Sequence, residues 1–374
     1  MVGAGPAGVA AALEARRLRP DAAVLLLDRE AFPRDKPCGD GLGPQAVDEL
    51  LALGAGGALD GYPPIRGLRL RSPSGREAAG RPARPSHVVP RRVLDARLVA
   101  LAAARGVAVA RRRVRRLEQR DRAGLVVVDG DLAARAVVGA DGANSAVRRL
   151  LGAAPNPDGA TAVALRGYAP AGPDADAQLI AWVDEGWPAY VWWFPTGTGL
   201  ANVGYGLLRS RLRGGRAALE SRLARGLPAA AADPATLRGH QLPLSSWRPP
   251  PGHGRVLLAG DAASLVNPVS GEGIYYALAS GRLAATAALT APAAPLRAYR
   301  RLLAAAFGRH LRHAAVLARA VRSRTLAEAA LAAAAADPAV FELLVEGGLG
   351  QARISPRLLA ALPGGLLRRA PLRS

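Results

Sequence analysis

The distribution of apolar residues predicts two stretches of alternating helices and strands with a strand-rich block between them. Apolar positions with helical spacing alternate with short apolar runs before residue 150 and again after residue 255. Strand-like segments separated by Gly, Pro and Asp turns occupy residues 161–206. We therefore expect an α/β fold with an α+β insertion, in which an antiparallel-sheet domain interrupts a Rossmann-like parallel-sheet domain.

The pattern places each element within a few residues. The predicted helices lie at Val9–Leu18, Pro44–Leu53, Val93–Arg105, Leu212–Arg225 and Gly273–Leu289, with an Ala/Leu-rich helical region from Pro295 onward. The predicted strands lie at Ala23–Leu27, Ile65–Arg71, Val107–Arg111, Val114–Leu117, Leu125–Val128, Leu132–Val138, Ala162–Tyr168, Gln178–Trp182, Tyr190–Phe194, Ala201–Gly206 and Arg255–Ala259. A first domain is expected at residues 1–60, 91–155 and 252–294, a second at residues 61–90 and 156–251, and a helical C-terminal region at residues 295–374.

The first eight residues have the spacing of a dinucleotide-binding loop. Gly3, Gly5 and Gly8 lead into the first predicted helix, whose N-terminal N–H groups suit a diphosphate. Asp28 follows the next predicted strand, where an acid that binds a ribose is expected. Only two residues precede the loop, so the sequence predicts a first strand that is almost absent and a weakened nucleotide site.

Two later segments repeat the arrangement of an apolar strand followed by glycine and aspartate. Asp141-Gly142 follows Leu132–Val138, and Gly260-Asp261 follows the strand Arg255–Ala259. The carboxyl ends of parallel strands meet at one edge of a sheet, so these groups are expected to converge on one ligand. Asp129-Gly130 predicts a separate hairpin turn between the strands on either side of it.

Composition narrows the class of partner. The 374 residues, half of them hydrophobic, are consistent with two joined globular domains. The formal net charge of +21 is spread over arginines in many segments without a nucleic-acid-binding module, so we expect an anionic ligand or lipid surface rather than nucleic acid. Cys38 is the only cysteine, which excludes an internal disulfide, and the histidines lack the spacing of a metal site.

The glycine loop and the two glycine–aspartate segments together resemble the FAD-binding domain of the p-hydroxybenzoate-hydroxylase-like flavoproteins. Three further segments resemble the geranylgeranyl reductase family within that superfamily. Lys36–Leu42 is similar to its Lys-x-Cys-Gly-Gly/Asp-Gly-Leu loop, and Tyr190–Pro195 with Asn202–Gly206 is similar to its Tyr-x-Trp-x-Phe-Pro and Asn-Val-Gly-x-Gly segments. Gly271–Leu278 is similar to its glycine-rich helix start. The cysteine loop is most similar to that of actinobacterial enzymes that saturate one isoprene unit of menaquinone.

This resemblance implies an FAD-dependent oxidoreductase that saturates carbon–carbon double bonds of an isoprenoid lipid or quinone. It implies that FAD is held by Gly3, Gly5, Pro6, Ala7, Gly8, Asp28, Arg29, Cys38, Gly39, Arg91, Asp141, Gly142, Gly260, Asp261, Pro268, Gly271, Gly273 and Ile274. It implies that the substrate contacts Tyr190, Trp192, Phe194 and Pro195. Cys38 and Tyr190 are the candidate catalytic residues, as proton donors, with an ordered water as the alternative.

Several alternatives stay open. The same superfamily contains FAD-dependent monooxygenases and halogenases, and a chain with a truncated first strand is also consistent with an inactive, flavin-poor homologue. The electron donor is NAD(P)H or a reduced ferredoxin-like protein, and no obligate protein partner is evident. We expect a cytoplasmic protein. Its basic tail Arg353–Ser374 either rests on the inner face of an anionic membrane or packs as a helix on the catalytic domain.

Overall fold

The computed structural model describes residues 1–172, 175–228 and 230–349. The helices within these ranges are α1 Pro6–Leu18, α2 Pro44–Ala52, α3 Arg91–Ala104, α4 Ala146–Leu150, α5 Arg216–Gly226, α6 Ile274–Thr290, α7 Pro295–Ala320, α8 Arg324–Ala336 and α9 Pro338–Leu349. The strands are β1 Leu25–Asp28, β2 Gly41–Leu42, β3 Gly67–Arg71, β4 Glu77–Gly80, β5 His87–Val88, β6 Ala108–Arg111, β7 Leu117–Arg120, β8 Leu125–Val128, β9 Leu132–Ala134, β10 Val137–Gly139, β11 Thr161–Pro170, β12 Ala177–Val183, β13 Ala189–Pro195, β14 Leu200–Leu208, β15 Arg238–Pro243, β16 Gly252–His253 and β17 Val256–Leu258.

The first sheet is the predicted parallel sheet, and the start of the chain lies in its middle. β1 pairs in parallel with β6, and β10 pairs in parallel with β17. Val2 forms parallel bridges to Leu27 of β1 and to Gly139 of β10. Its N–H donates to the Val138 carbonyl at 2.8 Å, and the Gly3 N–H donates to the Leu27 carbonyl at 2.7 Å. The two residues before the glycine loop therefore join the halves of the sheet.

Helix α1 packs against α6 at a backbone-to-backbone contact. A Cβ added to Gly281 of α6 would lie only 2.0 Å from the Ala7 carbonyl oxygen of α1. Five of the ten buried residues of α1 are alanine, and these small side chains allow this approach. The Gly260 N–H after β17 donates to Ser280 Oγ of α6 at 2.8 Å. The glycine loop and the segment after β17 are thus held to one another through α6.

The second sheet has seven strands in the order β15-β11-β14-β13-β12-β3-β4. Its central pairs are antiparallel, as predicted, with Tyr190 of β13 opposite Gly206 of β14. β3 pairs with β12 in parallel, so the sheet is mixed rather than wholly antiparallel. Helices α8 and α9 pack on the β3–β4 end of this sheet, where Phe341 and Leu331 are buried with Leu70.

Two strand predictions were wrong in their extent. The predicted strand Leu132–Val138 is two strands, because β9 forms the hairpin with β8 whereas β10 joins the parallel sheet beside β17. Val114 lies outside any strand, and β7 begins at Leu117 instead. The structure also contains strands that the apolar pattern did not indicate, namely β2, β4, β5, β15 and β16.

The helical region after residue 295 is confirmed as far as residue 349, where it forms α7, α8 and α9. No helix in the described ranges has the length and apolar character needed to cross a membrane. The basic tail Arg353–Ser374 lies outside the described residues.

Candidate functional site

A cavity of about 450 Å³ lies between the parallel sheet and the second sheet. One end is lined by Pro6, Arg91, Asp261 and the Pro268–Ile274 segment, and the other by aromatic side chains of β13. The loop that carries Cys38 lines the cavity between these two ends. The cavity therefore joins residues predicted to hold a nucleotide with residues predicted to hold a substrate.

The glycine loop forms a space for an anion at the N-terminus of α1. Gly3 and Gly8 have no room for a side chain, because their Cβ atoms would lie 2.4 Å from the Ala140 carbonyl oxygen and 1.8 Å from the Gly3 carbonyl oxygen. A Cβ on Gly5 would instead meet only the guanidinium nitrogens of Arg91 and Arg34, at 3.7 and 3.8 Å. The open side of the loop thus faces two cations and the positive end of a helix.

The two cations are held by a buried carboxylate. Arg91 donates two hydrogen bonds to Asp95, at 2.7 and 2.8 Å, and Arg34 lies 3.0 Å from the same carboxylate. Asp95 is fully buried and Arg91 is nearly so. Arg34 also lies 3.8 Å from Asp28 Oδ2, so the two guanidinium groups are held between two carboxylates beside the glycine loop. Arg34 was not among the residues predicted for the site, although it lies in the Phe-Pro-Arg segment just before the cysteine loop.

Asp28 and Asp141 both organise backbone at the edge of the sheet. Asp28 accepts hydrogen bonds from the backbone N–H groups of Ala4 and Glu30, at 2.7 and 2.9 Å. Asp141 accepts from Ser145 Oγ and from two N–H groups at the start of α4. Asp28 therefore fixes the glycine loop to the end of β1, whereas the Asp141 carboxylate is occupied by the start of α4.

Asp261 lies beside the only lysine of the chain. Lys36 Nζ lies 3.3 Å from Asp261 Oδ2, and although burial opposes the effect, this charge lowers the pKa of Asp261. His240 on β15 also lines the cavity, and burial lowers its pKa to about 4. Its Nε2 atom is buried without a hydrogen-bond partner among the described residues. His240 is thus a neutral imidazole at neutral pH, and no sequence motif singled it out.

The N-terminus of α6 brings further polar groups to the cavity. Glu272 accepts a hydrogen bond from the Tyr275 N–H at 2.9 Å, and burial raises its pKa to about 7. Gly271 has a φ of +76°, a backbone conformation that favours glycine, and an added Cβ would lie only 2.8 Å from the Tyr190 hydroxyl. Both the backbone conformation and the lack of space therefore require glycine at this position. The segment therefore places a partly protonated carboxyl group next to the aromatic strand.

The aromatic strand β13 lies against the cysteine loop. Tyr190, Trp192 and Phe194 lie on the same face of the strand, with neighbouring ring centroids 5.9 and 6.4 Å apart. A Cβ on Gly39 would lie in ordinary van der Waals contact with Phe194 at 3.5 Å and with the Trp192 indole nitrogen at 3.6 Å, so the loop backbone lies directly against both rings. The Tyr190 hydroxyl donates to the Ser270 carbonyl at 3.1 Å, and burial raises its pKa to about 12.

The cysteine loop is held by residues that were not among the predicted site residues. Asn202 Nδ2 donates to the Cys38 carbonyl at 2.8 Å and to Asp40 Oδ2 at 2.7 Å. The Trp192 indole donates to Asn202 Oδ1 at 2.8 Å, and the Tyr168 hydroxyl donates to Asp40 Oδ2 at 2.5 Å. Asp40 and Asn202 both lie inside the quoted sequence motifs, so the signal for them was present.

The predicted residues fall into three groups by position. Those that line the cavity are Pro6, Cys38, Gly39, Arg91, Tyr190, Trp192, Phe194, Asp261, Pro268, Gly271, Gly273 and Ile274. Those that lie behind it in the loops at the edge of the parallel sheet or at the start of α1 are Gly3, Gly5, Ala7, Gly8, Asp28, Asp141, Gly142 and Gly260. Arg29 is exposed and pairs with Glu30, and Pro195 is buried in β13 without lining the cavity.

Comparison with known proteins gives concordant results. Residues 1–188 match the FAD binding domain family. The chain is 37% identical to a menaquinone reductase of Mycobacterium tuberculosis over 311 residues, which covers 76% of this chain and 74% of that protein. It is 31% identical to digeranylgeranylglycerophospholipid reductase 2 of Methanopyrus kandleri over 318 residues, covering 78% and 76% of the two chains.

Solved structures share the fold. A geranylgeranyl bacteriochlorophyll reductase-like protein from Thermoplasma acidophilum superposes with a TM-score of 0.76 at 22% identity, covering 99% of this chain and 96% of that one. The flavin-dependent brominase Bmp2, as a triple mutant, superposes with a TM-score of 0.73 at 19% identity and 98% coverage of both chains. Fold alone therefore relates this chain to reductases and to halogenases alike.

Proposed function

The chain belongs to the FAD-dependent isoprenoid-chain reductases, the family that includes the menaquinone reductases, and from this membership we propose that it saturates a carbon–carbon double bond in an isoprenoid chain. The observation that carries the proposal is the single cavity that runs from the glycine-loop end of the chain to the aromatic strand β13. A linear apolar chain suits the aromatic end, and a menaquinone side chain or a geranylgeranyl group are the substrates that the relatives' names favour.

The residues at the glycine-loop end suit FAD. The space that a Cβ on Gly5 would fill lies between the loop backbone and two guanidinium groups, which suits the negative charge of a diphosphate. Asp28 would accept from a ribose hydroxyl, and Asp261 from a ribityl hydroxyl, with the Gly271–Ile274 backbone at the flavin edge. Bound FAD, once reduced, supplies hydride for the reaction.

The protein supplies orientation, exclusion of water and a proton. An unactivated alkene does not stabilise negative charge, so the proton must arrive almost together with the hydride. Burial raises the pKa of the Cys38 thiol, which keeps a proton on Sγ at neutral pH. Burial raises the pKa of Tyr190 to about 12, and its hydroxyl already donates its proton to the Ser270 carbonyl at 3.1 Å. We therefore assign the proton to Cys38 Sγ first and to Tyr190 second.

The test is anaerobic turnover with chemically reduced FAD and a menaquinone or geranylgeranyl lipid. A mass gain of one hydrogen pair per double bond supports the proposal, and unchanged lipid with a flavin-loaded protein contradicts it. Tyr190→Phe has a matched control in Tyr205→Phe, because Tyr205 lies on the neighbouring strand and donates to the Glu185 carbonyl at 2.6 Å outside the cavity. Only the Tyr190 variant should alter turnover.

Two further measurements separate the alternatives. A monooxygenase or halogenase consumes oxygen when substrate is added and forms an oxygenated or halogenated product, whereas a reductase does not. An inactive homologue would purify without stoichiometric flavin. The electron donor is tested by comparing NADPH, NADH and a reduced ferredoxin as sources of electrons under the same anaerobic conditions.

A further inference from the structure

Asp40 is a buried carboxylate in a costly backbone conformation. Its side chain is fully buried, and its φ of +60° lies in the left-handed region that favours glycine. Aspartate tolerates this region better than most residues but still with a loss of stability. Burial also raises the pKa of Asp40 to about 6, which is a second cost at neutral pH. Backbone strain and a buried ionisable group in one residue indicate that the Asp40 carboxylate has a functional role.

The carboxylate is built into the wall of the cavity. Oδ2 accepts from the Tyr168 hydroxyl and from Asn202 Nδ2, and Oδ1 accepts from the Arg91 N–H at 3.3 Å. The guanidinium of Arg166 lies over the Tyr168 ring at 4.7 Å and pairs with Asp35. Asp40 is thus tied to β11, β14 and the start of α3, so its position is fixed from three sides.

The same contacts tie the Asp40 carboxylate to the backbone of Cys38. Asn202 bridges the Asp40 carboxylate and the Cys38 carbonyl, which fixes the two residues relative to each other. The charged groups that face the thiol are Arg91 from α3 and Lys36 and Asp40 from its own loop. Burial is the main cause that raises the pKa of the thiol. The Asp40 carboxylate raises this pKa further, whereas Arg91, Lys36 and the Asp40 backbone N–H lower it.

We propose that Asp40 is a positioning residue that adds to burial in keeping Cys38 in its protonated, proton-donating form against the adjacent cations Arg91 and Lys36. The inference rests on the proposed function in that it takes Cys38 as the proton donor, because only a thiol that keeps its proton can donate it to the isoprenoid substrate. Without the Asp40 charge, Cys38 would lie next to two cations and lose its proton more readily. A thiolate cannot donate a proton, so turnover would fall as the thiol ionises.

The test uses the thiol itself and needs no turnover, because Cys38 is the only cysteine in the chain. The rate of alkylation by iodoacetamide is measured against pH, with the ultraviolet absorbance of the thiolate as a second signal. Asp40→Asn keeps the shape of the side chain and tolerates the left-handed backbone. We expect alkylation about tenfold faster at neutral pH, with the midpoint about one pH unit lower.

Asp35→Asn is the matched control. It removes one negative charge from the same loop, but Asp35 pairs with Arg166 and does not face the thiol. Its alkylation profile should follow that of the unmodified protein. If Asp40→Asn fails to fold, Asp40→Gly gives the same measurement, since glycine suits the φ of +60° and also lacks the charge.

The outcomes separate this inference from the proposed function. An alkylation profile of Asp40→Asn or Asp40→Gly within twofold of the unmodified protein would overturn the role of Asp40. Faster alkylation together with full turnover of Cys38→Ser would support the electrostatic role and overturn the role of the thiol as proton donor. Faster alkylation together with an earlier alkaline loss of turnover supports both.

Discussion

Replacement of Gly281 by alanine is expected to damage the contact on which the nucleotide site depends. The added Cβ would lie 2.0 Å from the Ala7 carbonyl oxygen and 2.8 Å from its carbonyl carbon. Ordinary contact begins near 3.4 Å, so the helices must separate by about 1.4 Å. Both obstructing atoms are backbone, so no side-chain rotation relieves the clash.

The expected change in the free energy of unfolding is the difference between an overpacking cost and a gain in helix propensity. Overpacking of a tight core costs about 1–3 kcal/mol, and here the upper end applies because α1 and α6 must move as rigid units. Alanine gains about 1 kcal/mol over glycine in a helix interior. The net loss in the free energy of unfolding is therefore about 2 kcal/mol. Displacement of α1 also opens the space around Gly5, so flavin affinity should fall as well.

Gly308→Ala provides the matched control within another helix. Gly308 lies in the interior of α7, and its Cβ would meet only side-chain atoms at 3.8 and 3.9 Å. This variant should gain about 1 kcal/mol from helix propensity and keep its flavin. Denaturant unfolding and the flavin-to-protein ratio after purification measure both effects. A Gly281→Ala protein as stable as the Gly308→Ala protein would refute the close-packing argument.

Three further predictions concern charge and space at the site. Gly5→Ala should change stability by less than about 0.5 kcal/mol, because Gly5 has an ordinary φ of −76°, yet it should lower flavin content by filling the space in front of Arg34 and Arg91. Asp95→Asn should lower the free energy of unfolding by about 3–5 kcal/mol in urea titrations, because the buried Arg91 guanidinium loses its carboxylate partner. His240→Gln should resist acid better than the unmodified protein, since the histidine pKa falls from 6.5 to about 4 on folding and protonation then favours the unfolded chain. The difference in Tm between the two proteins should grow as pH falls from 6.5 to 4 and stay constant above 7; a constant difference throughout would contradict a neutral buried imidazole.

The elements with local signals were predictable from the sequence. The glycine loop with α1 and the alternating strand β13 each follow from residues close together in the chain, and the structure confirms both. β4, with the sequence Glu-Ala-Ala-Gly, has no strand pattern of its own. It is a strand because β3 pairs with it and because Phe341 of α9 packs on Gly80. The polar strand β15 likewise exists through its pairing with β11.

The residues of the site also divide into those with a local sequence signal and those that only the tertiary structure brings together. Motif residues such as Cys38 and Tyr190 were named from the sequence and line one cavity. The pairing of Lys36 with Asp261 joins residues 225 positions apart, and no local pattern specifies it. His240 was missed for the same reason, since its strand brings it to the cavity only through the seven-stranded sheet.

The pairing of α1 with α6 also has a consequence for the order in which the protein is made. Glu14 of α1 accepts a hydrogen bond from Thr286 of α6, which lies 272 positions later in the chain. A chain emerging from the ribosome exposes the apolar face of α1 long before its partner exists, whereas strands β11 to β15 of the second sheet are all made before α6. The middle of the chain is therefore expected to fold first, and the glycine loop acquires its final shape only after α6 has left the ribosome. Limited proteolysis of stalled nascent chains would detect this sequence, with α1 becoming protected only in chains that extend past α6.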